Sequence, residues 1–134
     1  MQPKKRKHKK EFRGKMRGVA WRGSDVTFGE YGLQALDRGW ITGRQIEAAR
    51  RTVARATKRK GKVWIQIFPH KPVTEKSSEV TRGAGKGEVA YYVAVVKPGR
   101  ILMELGGLDE ATSMESLRLA AQKFPIKTRV VKKR

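Results

Sequence analysis

The stretch TGRQIEAARRTVARATKRKGKVWIQIFP, from Thr42 to Pro69, holds a helix followed directly by a strand. Thr42 with Gln45 three residues on is a capping-box signature, and a helical pattern runs from Gly43 to about Lys60, where Gly61 stops it. At about 100° per residue Ile46, Ala49, Val53 and Ala56 share one side, and Arg44, Arg51, Arg55 and Lys58 fall on nearly the opposite one. The first stripe can pack on a sheet while the second aligns cations along about 20 Å of helix axis, a spacing that can track a phosphate backbone. A merely solvated face mixes charge signs for i,i+4 support, yet only Glu47 supplies an acid here. Beyond Gly61, Val63, Ile65 and Ile67 alternate with Trp64, Gln66 and Phe68 until Pro69, which reads as a strand over 62–68 with both faces largely covered.

On the N-terminal side, Val26, Phe28, Tyr31, Leu33 and Leu36 broken by Gly29 and Gly32 predict short strands with a bend or bulge. On the other side, residues 70–87 carry cations and glycines without apolar periodicity and are expected to form a long functional loop. Residues 88–97 and 100–105 flank Pro98-Gly99 and predict an antiparallel hairpin at the centre of the sheet. Thr112 and Glu115 suggest a second capping box, with Met114, Leu117, Ala121 and Phe124 as the buried stripe of a helix ending before Pro125, and 126–131 as a last strand. This order gives an α+β fold, a two-layer sandwich of mostly antiparallel sheet with two helices.

A chain of 134 residues suits one domain, expected over 23–131. Its 32 Lys and Arg against 12 Asp and Glu leave a net charge of +20, a self-repulsion that a polyanionic partner relieves by charge neutralisation and counterion release. Residues 1–22 hold ten basic side chains (Lys4, Lys5, Arg6, Lys7, Lys9, Lys10, Arg13, Lys15, Arg17 and Arg22) against one acid, Glu11, and are expected to be an extended arm that settles on its partner. Residues 132–134 add a basic tail. The longest apolar run, Val89 to Val96, is far short of the roughly 18 residues of a spanning helix, so a membrane partner is not expected. The basic start lacks the apolar stretch of a secretory signal, which leaves the cytoplasm as the default location.

Enzymatic chemistry finds no seat. Without Cys, disulfides, thiolate metal sites and Cys nucleophiles are excluded. His8 and His70 lack metal-ligand spacing, and the acids are scattered. Gly83-Ala84-Gly85-Lys86-Gly87 resembles a phosphate-binding loop, but Gly87 stands where a nucleotide-binding P-loop needs Ser or Thr. No catalysis, cofactor or metal is expected. Of the tryptophans, Trp64 is expected in the core, Trp40 as a staple before the helix, and Trp21, in the arm, is equally suited to packing or to stacking on RNA.

The segments Lys58 to Pro69 and Gly85-Lys86-Gly87 resemble the two signatures of the bacterial-type sixteenth large-subunit ribosomal protein family, shared with the eukaryotic tenth large-subunit protein. The resemblance extends through Gln2-Pro3-Lys4, Arg44-Gln45-Ile46-Glu47, Lys71-Pro72, Val96-Lys97-Pro98-Gly99 and Pro125-Ile126-Lys127. Two departures stand out. Gln66 occupies a place usually held by Lys or Arg, and Thr81-Arg82 replaces Arg then Met, moving the loop cation by one position.

The resemblance implies a non-catalytic protein, not a homo-oligomer, bound to 23S rRNA among neighbouring large-subunit ribosomal proteins and close to the A- and P-site tRNAs. Its rRNA contacts would come from the arm cations together with Arg44, Arg51, Arg55, Lys58 and Arg59. The loop, with Lys76, Thr81, Arg82, Gly83, Gly85, Lys86 and Gly87, would point to the peptidyl transferase centre, supporting late subunit assembly and tRNA positioning. From the residues alone, a free non-specific nucleic-acid binder or RNA chaperone is the alternative.

Overall fold

The computed structural model describes residues 23–75 and 88–134. Along the chain these form β1 (Tyr31–Ala35), β2 (Gly39–Thr42), α1 (Gly43–Ala56), β3 (Lys62–Ile65), β4 (Lys71–Glu75), β5 (Glu88–Val96), β6 (Ile101–Gly106), α2 (Glu110–Ala121) and β7 (Thr128–Lys132). The fold is α+β and every strand pairing is antiparallel, but the strands divide into two sheets, ordered β3-β6-β1-β7 and β2-β5-β4.

That division corrects the expected hairpin. Pro98-Gly99 does make a tight turn, with the Arg100 N–H donating to Lys97 O at 3.2 Å and Gly99 at φ 96°. The flanking strands nonetheless part company, because the backbone of Ala35 takes both sides of the turn: its carbonyl accepts from Gly99 and its N–H donates to Arg100 O, each at 2.8 Å. β6 therefore pairs with β1 and β3, and β5 with β2 and β4. Each is interior to its own sheet instead of joining its neighbour in sequence.

α2 packs on β1, β6 and β7, α1 on β2 and β5, and the helices pack on each other. Among the described residues an apolar cluster joins these elements and includes Leu33, Ile41, Ile46, Val53, Val96, Leu102, Met103, Leu105 and Leu117. Removing a leucine-sized side chain from such a centre costs about 2–5 kcal/mol.

Several boundaries and faces differ from expectation. β2 was not expected, and β4 occupies 71–75, the start of the expected loop; Pro72 lies in this outer strand, where a missing N–H costs no interior ladder bond. Residues 76–87 and the arm at 1–22 lie outside the described residues. β3 is a shorter, half-buried edge strand, so Trp64 is not a core residue; Ile67 is, and Phe68 is exposed. In 25–36 a single strand forms, with an irregular register between Leu33 and Gln34, and Phe28 and Leu36 are exposed.

α2 is capped by Asp109, which accepts from the Thr112 N–H at 3.1 Å, instead of by a Thr112–Glu115 box. It buries Ser113, Ser116, Leu117 and Ala120, whereas Met114 is exposed. The small residues let the helices approach closely, and this shifts the buried stripe from the one the larger apolar side chains suggest.

Candidate nucleic-acid interface

Among the described residues α1 carries a cationic surface, and its start is fixed by local chemistry. The Gln45 N–H donates to Thr42 Oγ1 at 3.2 Å and the Thr42 N–H to Gln45 Oε1 at 2.9 Å, which closes the expected capping box. Ile46, Ala49 and Val53 are buried, so the same helix turns Arg44, Arg51 and Arg55 to solvent. Ala56, expected on the apolar side, is half-buried.

The helix ends at Ala56, about a turn before Lys60. The Thr57 N–H and hydroxyl both donate to Val53 O, at 2.9 and 2.8 Å. The Lys58 N–H then donates to Arg55 O at 3.3 Å and the Arg59 N–H to Ala54 O at 2.9 Å, a Schellman closure. The left-handed position this motif requires is usually glycine, yet here Lys58 (φ 53°) and Arg59 (φ 63°) adopt it. Gly61 (φ 75°) comes later, where a Cβ would lie 2.7 Å from Gly106 O. Each L-residue held there costs roughly 1–2 kcal/mol, and in return the turn folds two exposed cations back beside the helix.

The result is an open concavity of about 640 Å³ lined by Arg50, Arg51, Ala54, Arg55, Lys58 and Arg59. Of the five sequence-nominated cations of this region, it gathers Arg51, Arg55, Lys58 and Arg59, while Arg44 stands apart near the helix start. Arg50 was missed. Its place about 60° from Val53, at the border of the apolar stripe, and three residues after Glu47, was the signal available.

Glu47 tethers part of the array. Arg50 Nε donates to its Oε2 at 3.1 Å, and Arg51 Nε lies 3.4 Å from its Oε1. The Arg50 hydrogen bond, assisted by the charges of Arg50 and Arg51, holds the Glu47 carboxyl below the usual glutamate range. Five cations thus surround the concavity with one carboxylate bonded to two of them, and a large positive excess remains for an anion. A walled, single-sign surface of this kind concentrates polyanions.

Among the described residues no His, Cys, Asp and Glu grouping could hold a metal, and no helix is long and apolar enough to cross a membrane. Lys4 to Arg22 and Lys76 to Gly87, the remaining nominated residues, lie outside the described part.

Comparison with known proteins bears on what this surface meets. Residues 3–131 match the family model described as Ribosomal protein L16p/L10e. Over 131 residues the chain is 58% identical to the Large ribosomal subunit protein uL16 of Latilactobacillus sakei subsp. sakei (strain 23K), covering 98% of this chain and 91% of that protein.

Proposed function

Because the chain belongs to the L16p/L10e family of ribosomal proteins, we propose that it binds 23S rRNA in the large ribosomal subunit through the cations at the end of α1, close to the A- and P-site tRNAs. The family is one of structural ribosomal proteins, and the bacterial relative points to the cytoplasmic ribosome. The observation that carries the rRNA reading is the outward concavity of Arg50, Arg51, Arg55, Lys58 and Arg59. Its cations meet phosphates and set the position of the domain, while specificity comes from the folded shape of the RNA.

In the same reading the basic residues of 1–22 and 132–134 add cations to this grip, and Lys76, Arg82 and Lys86 are the cations proposed to act near the tRNA acceptor ends and the peptidyl transferase centre. In this role the protein supports late subunit assembly and tRNA positioning, and peptide-bond chemistry belongs to RNA.

Filter binding of the purified chain to 23S rRNA and to duplex DNA over a salt series tests this. Neutralisation of about eight phosphates gives a log–log salt slope of roughly −6 to −7, with rRNA preferred over DNA. Equal affinity for both would instead identify a free non-specific binder.

A further inference from the structure

Beyond α1 the exposed Lys60 and Lys62 follow in sequence, and Lys62, at the start of β3, places its Nζ 5.3 Å from the centroid of the Trp64 ring. Trp64 in turn stacks on Phe28, with centroids 6.2 Å apart and planes 19° from parallel. Phe28 is 61% exposed.

One exposed ring is ordinary on a protein surface, but this one is held from beneath. The N–H groups of Thr27, Phe28 and Gly29 all donate to Oε1 of Glu104, at 2.8, 2.8 and 2.9 Å, and Glu104 itself is only 1% exposed. Gly29 lies so close to β6 that a Cβ would be 2.7 Å from Leu105 O. Trp64 is seated against Gly106, where a Cβ would meet Cζ3 at 3.2 Å. A buried carboxylate thus fixes the backbone of a solvent-facing aromatic, and a surface already ordered loses little entropy on binding.

The occupant must suit both a flat apolar face and a neighbouring ammonium group. An unpaired nucleobase does so, because every base has a π-face and an adjoining phosphate can meet Lys62. An apolar protein side chain would satisfy the ring and leave Lys62 without an anion.

We propose that Phe28, backed by Trp64 and flanked by Lys62, is a stacking site for one unpaired base of the bound RNA, with Lys62 on an adjoining phosphate. This rests on the rRNA-binding reading above and adds to it a contact that does not depend on salt.

The test is the affinity of the full-length chain for transcribed 23S rRNA over a salt series, comparing wild type with Phe28→Ala, Phe28→Tyr, Phe28→Leu and Lys62→Gln, each shown to be folded by its thermal transition. Phe28→Ala should lose about ten- to a hundredfold in affinity with the salt slope unchanged. Phe28→Tyr should bind as wild type, Phe28→Leu should behave like Phe28→Ala, and Lys62→Gln should flatten the slope by about one. Wild-type affinity in Phe28→Ala, or full retention in Phe28→Leu, would overturn the stacking site while leaving the cationic interface standing. Failure of the wild-type chain to bind the RNA would overturn the interface itself, and the stacking site with it.

Discussion

Gln66 donates its side-chain amide to Oε2 of the buried Glu104 at 2.5 Å, so a neutral side chain faces this carboxyl group. The other oxygen, Oε1, ties down the backbone of residues 27–29. Replacing Glu104 by Ala strands those three N–H groups and the Gln66 amide, of which the Gly29 N–H is buried, and a buried unsatisfied donor costs about 1–3 kcal/mol. A loss of about 1–3 kcal/mol is expected from urea unfolding. A loss below about 1 kcal/mol would show that the carboxylate does not anchor this segment.

Lys58 has a backbone suited to glycine, at φ 53°. Lys58→Gly should therefore stabilise the free protein by about 1 kcal/mol and weaken rRNA binding through the lost cation. Opposite signs in the melting temperature and in the affinity are the expected signature. A destabilised variant would refute the strain.

Ser113 Oγ is fully buried in α2 without a hydrogen-bond partner. Ser113→Ala should raise the unfolding free energy by about 1 kcal/mol, the burial cost of an unsatisfied hydroxyl. A decrease on chemical denaturation would mean that the hydroxyl is satisfied in solution.

Asp109 caps α2, and the hydrogen bonds it accepts from Thr112 hold its carboxyl below the usual aspartate range. A carboxyl lowered in the folded state adds stability above its unfolded pKa and loses it as pH falls through the folded value. Asp109→Asn keeps a capping oxygen but does not titrate. The advantage of the wild type over this variant should therefore shrink as pH drops below the ordinary aspartate range. A difference that is constant with pH would contradict the charged cap.

α1 was legible almost to the residue at its start because its signals are local: a capping pair and a 3.6-residue apolar repeat. Its end was read too late, because Lys58 and Arg59 sit where only glycine would have announced a stop. The separation of β5 from β6 was hidden, since it depends on Ala35, far away in sequence, capturing both sides of the Lys97–Arg100 turn. Pro72 masked β4, and the buried serines of α2 masked its true packing face. Within the candidate site, Arg51, Arg55 and Lys58 could be read from their spacing and Arg50 could not, and the stacking of Phe28 on Trp64 joins segments that only the tertiary fold brings together.

The most direct test follows tagged wild-type protein and an Arg51→Glu, Arg55→Glu double variant through sucrose gradients of cell lysate at high salt. Wild type should travel with the large subunit, while the doubly reversed chain, still folded by circular dichroism, should remain near the top. Full incorporation of the reversed chain, or wild type absent from the large-subunit peak, would contradict an rRNA grip built on the cations of α1.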